Sequence, residues 1–157
     1  MSEAVYVETS ILGYLTARPS RDLVVAANIE ITREWWDTRR SYFQLYTSQA
    51  VIKETSLGDA QIASQRLEII RNFALLDLNQ SVLDLAEEFL GRSSLPSKAD
   101  VDAVHIAAAT VHSMDYLITW NCKHIANAQI QRKLAEISLD FGYELPILCT
   151  PYELLGG

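Results

Sequence analysis

The sequence predicts an α/β sandwich, with a mostly parallel central sheet of about five strands flanked by helices. Three observations predict it. Short apolar runs alternate with long amphipathic ones along the whole chain. The short runs are continuously apolar more than alternating, as strands covered on both faces are. One long stretch, residues 98–114, is apolar nearly all round, which marks a central buried helix.

In chain order, Ala4–Val7 reads as the first strand. After the turn Arg18-Pro19-Ser20, the residues Val24, Ala27, Ile31 and Trp35 recur at helical spacing. Gln44–Thr47 is the second strand. Leu57-Gly58-Asp59 then breaks the chain, and Ala60, Ala63, Leu67, Ile70 and Ala74 form another helical stripe. Ala74–Leu78 is the third strand, and residues 81–91 repeat the helical pattern with Leu85, Ala86 and Phe89. Leu95-Pro96-Ser97 ends that helix. Ser97 lies three residues before Asp100, so a capping box is expected at the start of 98–114. Tyr116–Thr119 is the fourth strand, residues 128–140 the last long helix, and Ile147–Cys149 the fifth strand, after Phe141-Gly142 and Leu145-Pro146. Adjacent tryptophans cannot both point inward on a helix, so one of Trp35 and Trp36 is expected on a partner surface.

Length and charge bound the function. The chain has 157 residues, which suits one domain with a substantial core spanning 1–157. It is 49% hydrophobic and 21% charged, an ordinary globular composition. A net charge of −7 argues against broad electrostatic binding of nucleic acid. It leaves room for a local basic strip, for which Arg18, Arg21, Arg33, Arg39, Arg40 and Lys53 are candidates. Cys122 and Cys149 make neither a disulfide framework nor a metal spacing, so a reduced, cytoplasmic setting is expected. No secretory signal opens the chain, and no apolar run reaches the roughly 18 residues of a membrane span, so no membrane role is expected.

Two carboxylates stand where charge is costly. Glu8 closes the apolar run Ala4-Val5-Tyr6-Val7, and Asp102 opens Ala103-Val104-His105-Ile106-Ala107-Ala108-Ala109. In open α/β sheets, ligands bind in the crevice outside the carboxyl ends of the strands. Glu8 lies at that end of the first strand and Asn121 just past that end of the fourth. Asp102 reaches the same crevice if its helix starts over the strand ends. Carboxylates gathered there suit a divalent cation.

Four segments carry the chemistry: Tyr6-Val7-Glu8-Thr9-Ser10, Val51-Ile52-Lys53-Glu54, Asp102 to Ala109, and Ile118-Thr119-Trp120-Asn121-Cys122-Lys123-His124. In this order the chain resembles the PIN-domain nucleases, whose largest branch is the VapC-type toxins of bacterial toxin–antitoxin pairs. The resemblance covers nearly the whole chain and is most specific in the last two segments. It implies a three-layer PIN-like sandwich and a metal-dependent endoribonuclease acting on RNA. It further implies a homodimer and a small antitoxin whose peptide covers the cleft. By position it assigns metal-binding acids to Glu8, Glu54 and Asp102, and the fourth site position to Asn121. Ser10 and Thr119 become supporting donors, while Asp100 supports the site as a capping carboxylate. Mg2+ or Mn2+ is the implied ion.

Two positions depart from the family pattern. Glu8 stands where Asp is usual, which extends the carboxylate by one methylene, and Asn121 lowers the formal charge by one. Magnesium demands near-octahedral geometry, so manganese is expected to tolerate the longer arm better. These departures sustain an alternative, a catalytically weak or inactive PIN-fold binding module. A receiver-like phosphoacceptor domain fits less well, because no adjacent acidic pair follows the first strand. Glu8 as a cap of the helix starting near Thr9 is the ordinary reading of that residue, and Glu54 as a surface glutamate of its own. His105 and His112 read as structural. His124 reads as lining the cleft or capping the next turn.

Overall fold

The computed structural model describes residues 2–156. They form five strands in one all-parallel sheet of order β3-β2-β1-β4-β5. The strands are β1 (Glu3–Val7), β2 (Phe43–Ser48), β3 (Ala74–Leu76), β4 (Tyr116–Ile118) and β5 (Ile147–Cys149). The helices are α1 (Thr9–Leu15), α2 (Leu23–Thr38), α3 (Gln49–Thr55), α4 (Ala60–Ile70), α5 (Gln80–Arg92), α6 (Asp100–Val111) and α7 (Ala128–Asp140). Every strand expected from the sequence is present, with β3 and β4 ending one or two residues early.

The unbroken apolar strands are explained by two cores, one on each face of the sheet. Tyr6, Leu117 and Leu148 point to a large core built with α3, α4, α5, α6 and α7. Their neighbours Val5, Val7, Ile118 and Cys149 point to the opposite core, closed by Ile11, Trp35 and Leu154. Alternate residues thus serve opposite layers, and neither face is left to water. Helix α6 is the most enclosed helix. Ala103, Ile106, Ala107, Ala108 and Ala109 are all fully buried, and the small side chains bring its backbone close to the sheet and to α5.

Chain order places the crevice. Strand β1 is central and pairs in parallel with β2 on one side and β4 on the other. The chain leaves β1 towards β2 and only later reaches β4. The order therefore reverses between β1 and β4, the switch point at which such sheets bind ligands. Glu8 follows β1 there, and its N–H donates to the Ile118 carbonyl of β4 at 3.2 Å.

Three local expectations are corrected. No capping box forms between Ser97 and Asp100. Ser97–Ala99 instead make a 3-10 turn that runs straight into α6, with Ala99 as N-cap and no side-chain cap bond. The buried face of α2 runs through Ile29, Thr32 and Trp35, while Val24 and Ala27 are exposed, because only the C-terminal part of α2 crosses the sheet core. Trp36 does not present a bare ring to a partner. It is half-buried, tilted against Phe73 with Arg40 stacked on its face.

Candidate active site

The first site residue is set by a helix start. Glu8 has extended backbone and is the N-cap of α1, its Oε1 accepting the Ser10 N–H at 3.0 Å. The same oxygen accepts the Ser10 hydroxyl and, at 2.6 Å, the Thr119 hydroxyl. The two hydroxyls are themselves held in place. Ser10 Oγ accepts the Trp120 N–H at 2.8 Å, and Thr119 Oγ1 accepts the Asn121 N–H at 2.9 Å. The Glu-Thr-Ser and Thr-Trp-Asn segments are thereby stitched across the β1–β4 gap. The carboxylate is buried at 5% exposure, a position tolerated because three donors converge on Oε1. None of these bonds falls on Oε2.

Glu54 arrives from the other side, on the last turn of α3. Its Oε1 accepts the Thr9 hydroxyl at 2.6 Å and the His105 Nε2 at 2.7 Å. Here too the hydrogen bonds fall on Oε1 and leave Oε2. Burial pushes the Glu54 carboxyl up, but His105 and the Thr9 hydroxyl outweigh it and hold the group below the usual carboxylate value. His105 is fully buried on α6, and its Nδ1 meets the Tyr6 hydroxyl at 2.7 Å. Tyr6 in turn meets Ser48 Oγ at 2.7 Å. Burial raises the Tyr6 phenol well above its ordinary value, so it stays protonated and able to donate.

Among the described residues, one group of three or more potential metal ligands comes together. Glu8, Glu54 and His105 each offer an atom within 4.8 Å of the others. Asp102 does not join them. It lies one turn before His105 on α6, and its Oδ2 meets His124 Nδ1 at 3.0 Å, with both side chains under a fifth exposed. Asn121 is occupied as a turn cap, with Oδ1 accepting the His124 N–H at 3.0 Å. Asp100 is exposed. It borders an apolar groove of about 440 Å3 between α3, α5 and α6 that ends at Lys53 and Glu54.

The sequence places Glu8, Glu54, Asp102 and Asn121 in one crevice, supported by Ser10 and Thr119. The structure brings Glu8, Glu54, Ser10 and Thr119 together, while Asp102 and Asn121 both bond to His124 instead of joining the Glu8–Glu54 cluster. The partnerships of His105 with Glu54 and of His124 with Asp102 were missed. A signal for the first existed, since His105 is a polar side chain in an otherwise alanine-rich buried turn.

No family model matches the sequence, and no curated protein matches it. Solved structures do. VapC20 of Mycobacterium tuberculosis, described as a sarcin–ricin-loop cleaving toxin, overlays with a TM-score of 0.61 over 77% of this chain and 92% of its own, at 16% identity. This chain has the VapC-type PIN fold. VapBC2 of Rickettsia felis, solved on a DNA fragment from its promoter, overlays with a TM-score of 0.49 at 15% identity, over 76% of this chain and 89% of its own. The described residues contain no helix long and apolar enough to cross a membrane.

Proposed function

We propose that this PIN-fold chain is a divalent-metal-dependent endoribonuclease, the toxin of a type II toxin–antitoxin pair. One observation carries the reading. Two carboxylates from different elements, Glu8 and Glu54, sit at the switch point with one oxygen each locked by protein donors and the other left over. Donors that fix one oxygen orient the other, which is how ligating carboxylates are commonly prepared for an ion. The overlay with VapC20, a sarcin–ricin-loop cleaving toxin, supports the same reading.

The donor set fits the implied ion. Carboxylate oxygens suit Mg2+ and Mn2+. Glu8 and Glu54 would hold the ion, with Asp102, one turn along α6, completing the acidic lining. When bound, such an ion activates water and neutralises the charge of a phosphodiester. The chain's own residues do the positioning. Ser10 and Thr119 hold the Glu8 carboxylate, and Thr9 and His105 hold that of Glu54. Asn121 shapes the turn that presents His124 to Asp102. Lys53, exposed beside Glu54, adds positive charge for an RNA backbone at the rim. A homodimer and an antitoxin peptide belong to the same reading, and the apolar groove beside Glu54 is a surface for a protein partner to cover.

The test is cleavage of a structured RNA with Mg2+ or Mn2+, followed by strand analysis, in the wild type and in Glu8→Gln. Metal-dependent cuts that vanish in the variant are expected. A wild type that cuts no RNA with either ion, but gains activity in Glu8→Asp, supports the binding-module reading instead.

A further inference from the structure

We infer that His105 is a positioning residue that aims Glu54, and that its own ring is fixed by Tyr6 and Ser48. The inference rests on the metal-dependent reading above and names what prepares that site. It starts from the hydrogen-bond line Ser48–Tyr6–His105–Glu54–Thr9, which links β2, β1, α6, α3 and α1. Ser48, Tyr6 and His105 are all fully buried, and the two ring nitrogens of His105 meet only the Tyr6 hydroxyl and Glu54.

The direction of one bond is fixed. A carboxylate oxygen accepts, so across the 2.7 Å contact Nε2 of His105 is the donor to Glu54 Oε1. That holds whether the ring carries one proton or two. With one, Tyr6 donates to Nδ1 and accepts from Ser48. With two, Nδ1 donates to Tyr6, which donates to Ser48. In both cases each hydrogen bond of the line has one donor and one acceptor, and Nε2–H remains on Glu54 Oε1.

The consequence is geometric. Glu54 sits on the last turn of a seven-residue helix, and its side chain is a third exposed. A glutamate there would sample several rotamers. The buried imidazole approaches it from the protein interior and Thr9 from α1, so Oε1 is pinned from two directions and Oε2 is left to the crevice shared with Glu8. His105 therefore acts on an ion through Glu54, without ligating it.

Calorimetric titration of Mn2+ and Mg2+ into the full chain tests this with wild type, His105→Leu and His105→Gln. His105→Leu is expected to weaken binding by about tenfold or more, as loss of orienting partners does. His105→Gln can still present an N–H near the place of Nε2 and should stay within about threefold of wild type. A folded His105→Leu that binds both ions as wild type does overturns the role, and so does an equal loss in the Gln and Leu variants. An independent measurement needs no substitution. The His105 Nε2–H resonance should persist at saturating Mg2+, and its disappearance would make His105 a ligand and overturn the inference. A wild type that takes up neither ion removes the metal reading and this role together. Metal uptake left intact in His105→Leu removes the role alone.

Discussion

Asp102 Oδ2 and His124 Nδ1 lie 3.0 Å apart, joining the first turn of α6 to the turn that follows β4. The pair explains two sequence features at once. Asp102 is three residues before the buried His105, so one face of α6 carries both polar side chains towards the crevice. His124 is three residues after Asn121, whose side chain caps its N–H and holds the turn in place. The acid is thus oriented by a histidine much as Glu54 is, but from a different segment.

Asp102→Asn should test whether this acid belongs to the functional unit. The amide keeps the shape and can still face His124, so the melting temperature should move by only a few degrees. If Asp102 acts with Glu8 and Glu54, the cleavage rate should fall by about 100-fold or more, since members of one catalytic unit fail together. Asp100→Asn, at an exposed position outside the hydrogen-bond network, should remain within about twofold. Single-turnover cleavage rates and thermal melts decide it, and unchanged cleavage in Asp102→Asn would remove that residue from the site.

Glu8 is both a cap and a candidate ligand, and substitutions separate the two. Glu8→Gln retains a carbonyl oxygen for the Ser10 and Thr119 donors, so stability should change little while metal-dependent activity is lost. Glu8→Ala leaves three donors without their acceptor and removes the N-cap of α1, at a cost of about 1–2 kcal/mol. Glu8→Asp remains a capable cap and should retain activity with a shifted preference between Mg2+ and Mn2+. Chemical denaturation and cleavage assays read the two effects independently.

The layer order and all five strands were legible in the sequence because strands buried on both faces leave uninterrupted apolar runs. Glu8 was legible because it closes an apolar run at the carboxyl end of a strand, whereas Ser10 and Thr119 were placed by the family resemblance. What escaped depended on contacts between distant segments. The tie of Glu54 to His105 spans 51 residues, and that of Asp102 to His124 spans 22. No local pattern encodes either. The stripe on α2 was misplaced for a related reason: which face of a helix is buried depends on where it crosses the sheet, and spacing alone allowed Val24 as readily as Ile29. The capping box failed because Ser97–Ala99 continue into α6 through a 3-10 turn, which leaves no extended residue to act as a side-chain cap.

High pH should expose the buried thiol. Burial, with a smaller push from Glu153, raises the Cys149 thiol to about 12 from an ordinary value of 9.0. The folded state therefore favours the protonated form. Its contribution to stability is fully present below pH 9.0 and is lost as pH rises towards about 12. Burial raises Tyr6 in the same direction and adds to the alkaline loss. Urea unfolding at pH 8 and above pH 10 should show falling stability, with a shallower fall in Cys149→Ala. In the native protein at pH 8, a thiol reagent should label exposed Cys122 and spare Cys149.

An ion that binds only the folded chain must stabilise it. At about 100 times its dissociation constant the gain is about 2.7 kcal/mol, which for a chain of this size is roughly 5–10 °C in melting temperature. Mn2+ is expected to give at least as large a rise as Mg2+, because it places weaker demands on geometry where Glu8 is longer than an aspartate. Glu54→Gln and Glu8→Gln should each blunt the rise, since either change leaves an amide where the crevice offered a charged oxygen. Ca2+ serves as the control for charge alone, because it accepts longer oxygen distances and more ligands than a site of two carboxylates supplies. A melting curve that does not move at millimolar Mn2+, or one that moves equally in both Gln variants, would show that these two carboxylates do not hold an ion.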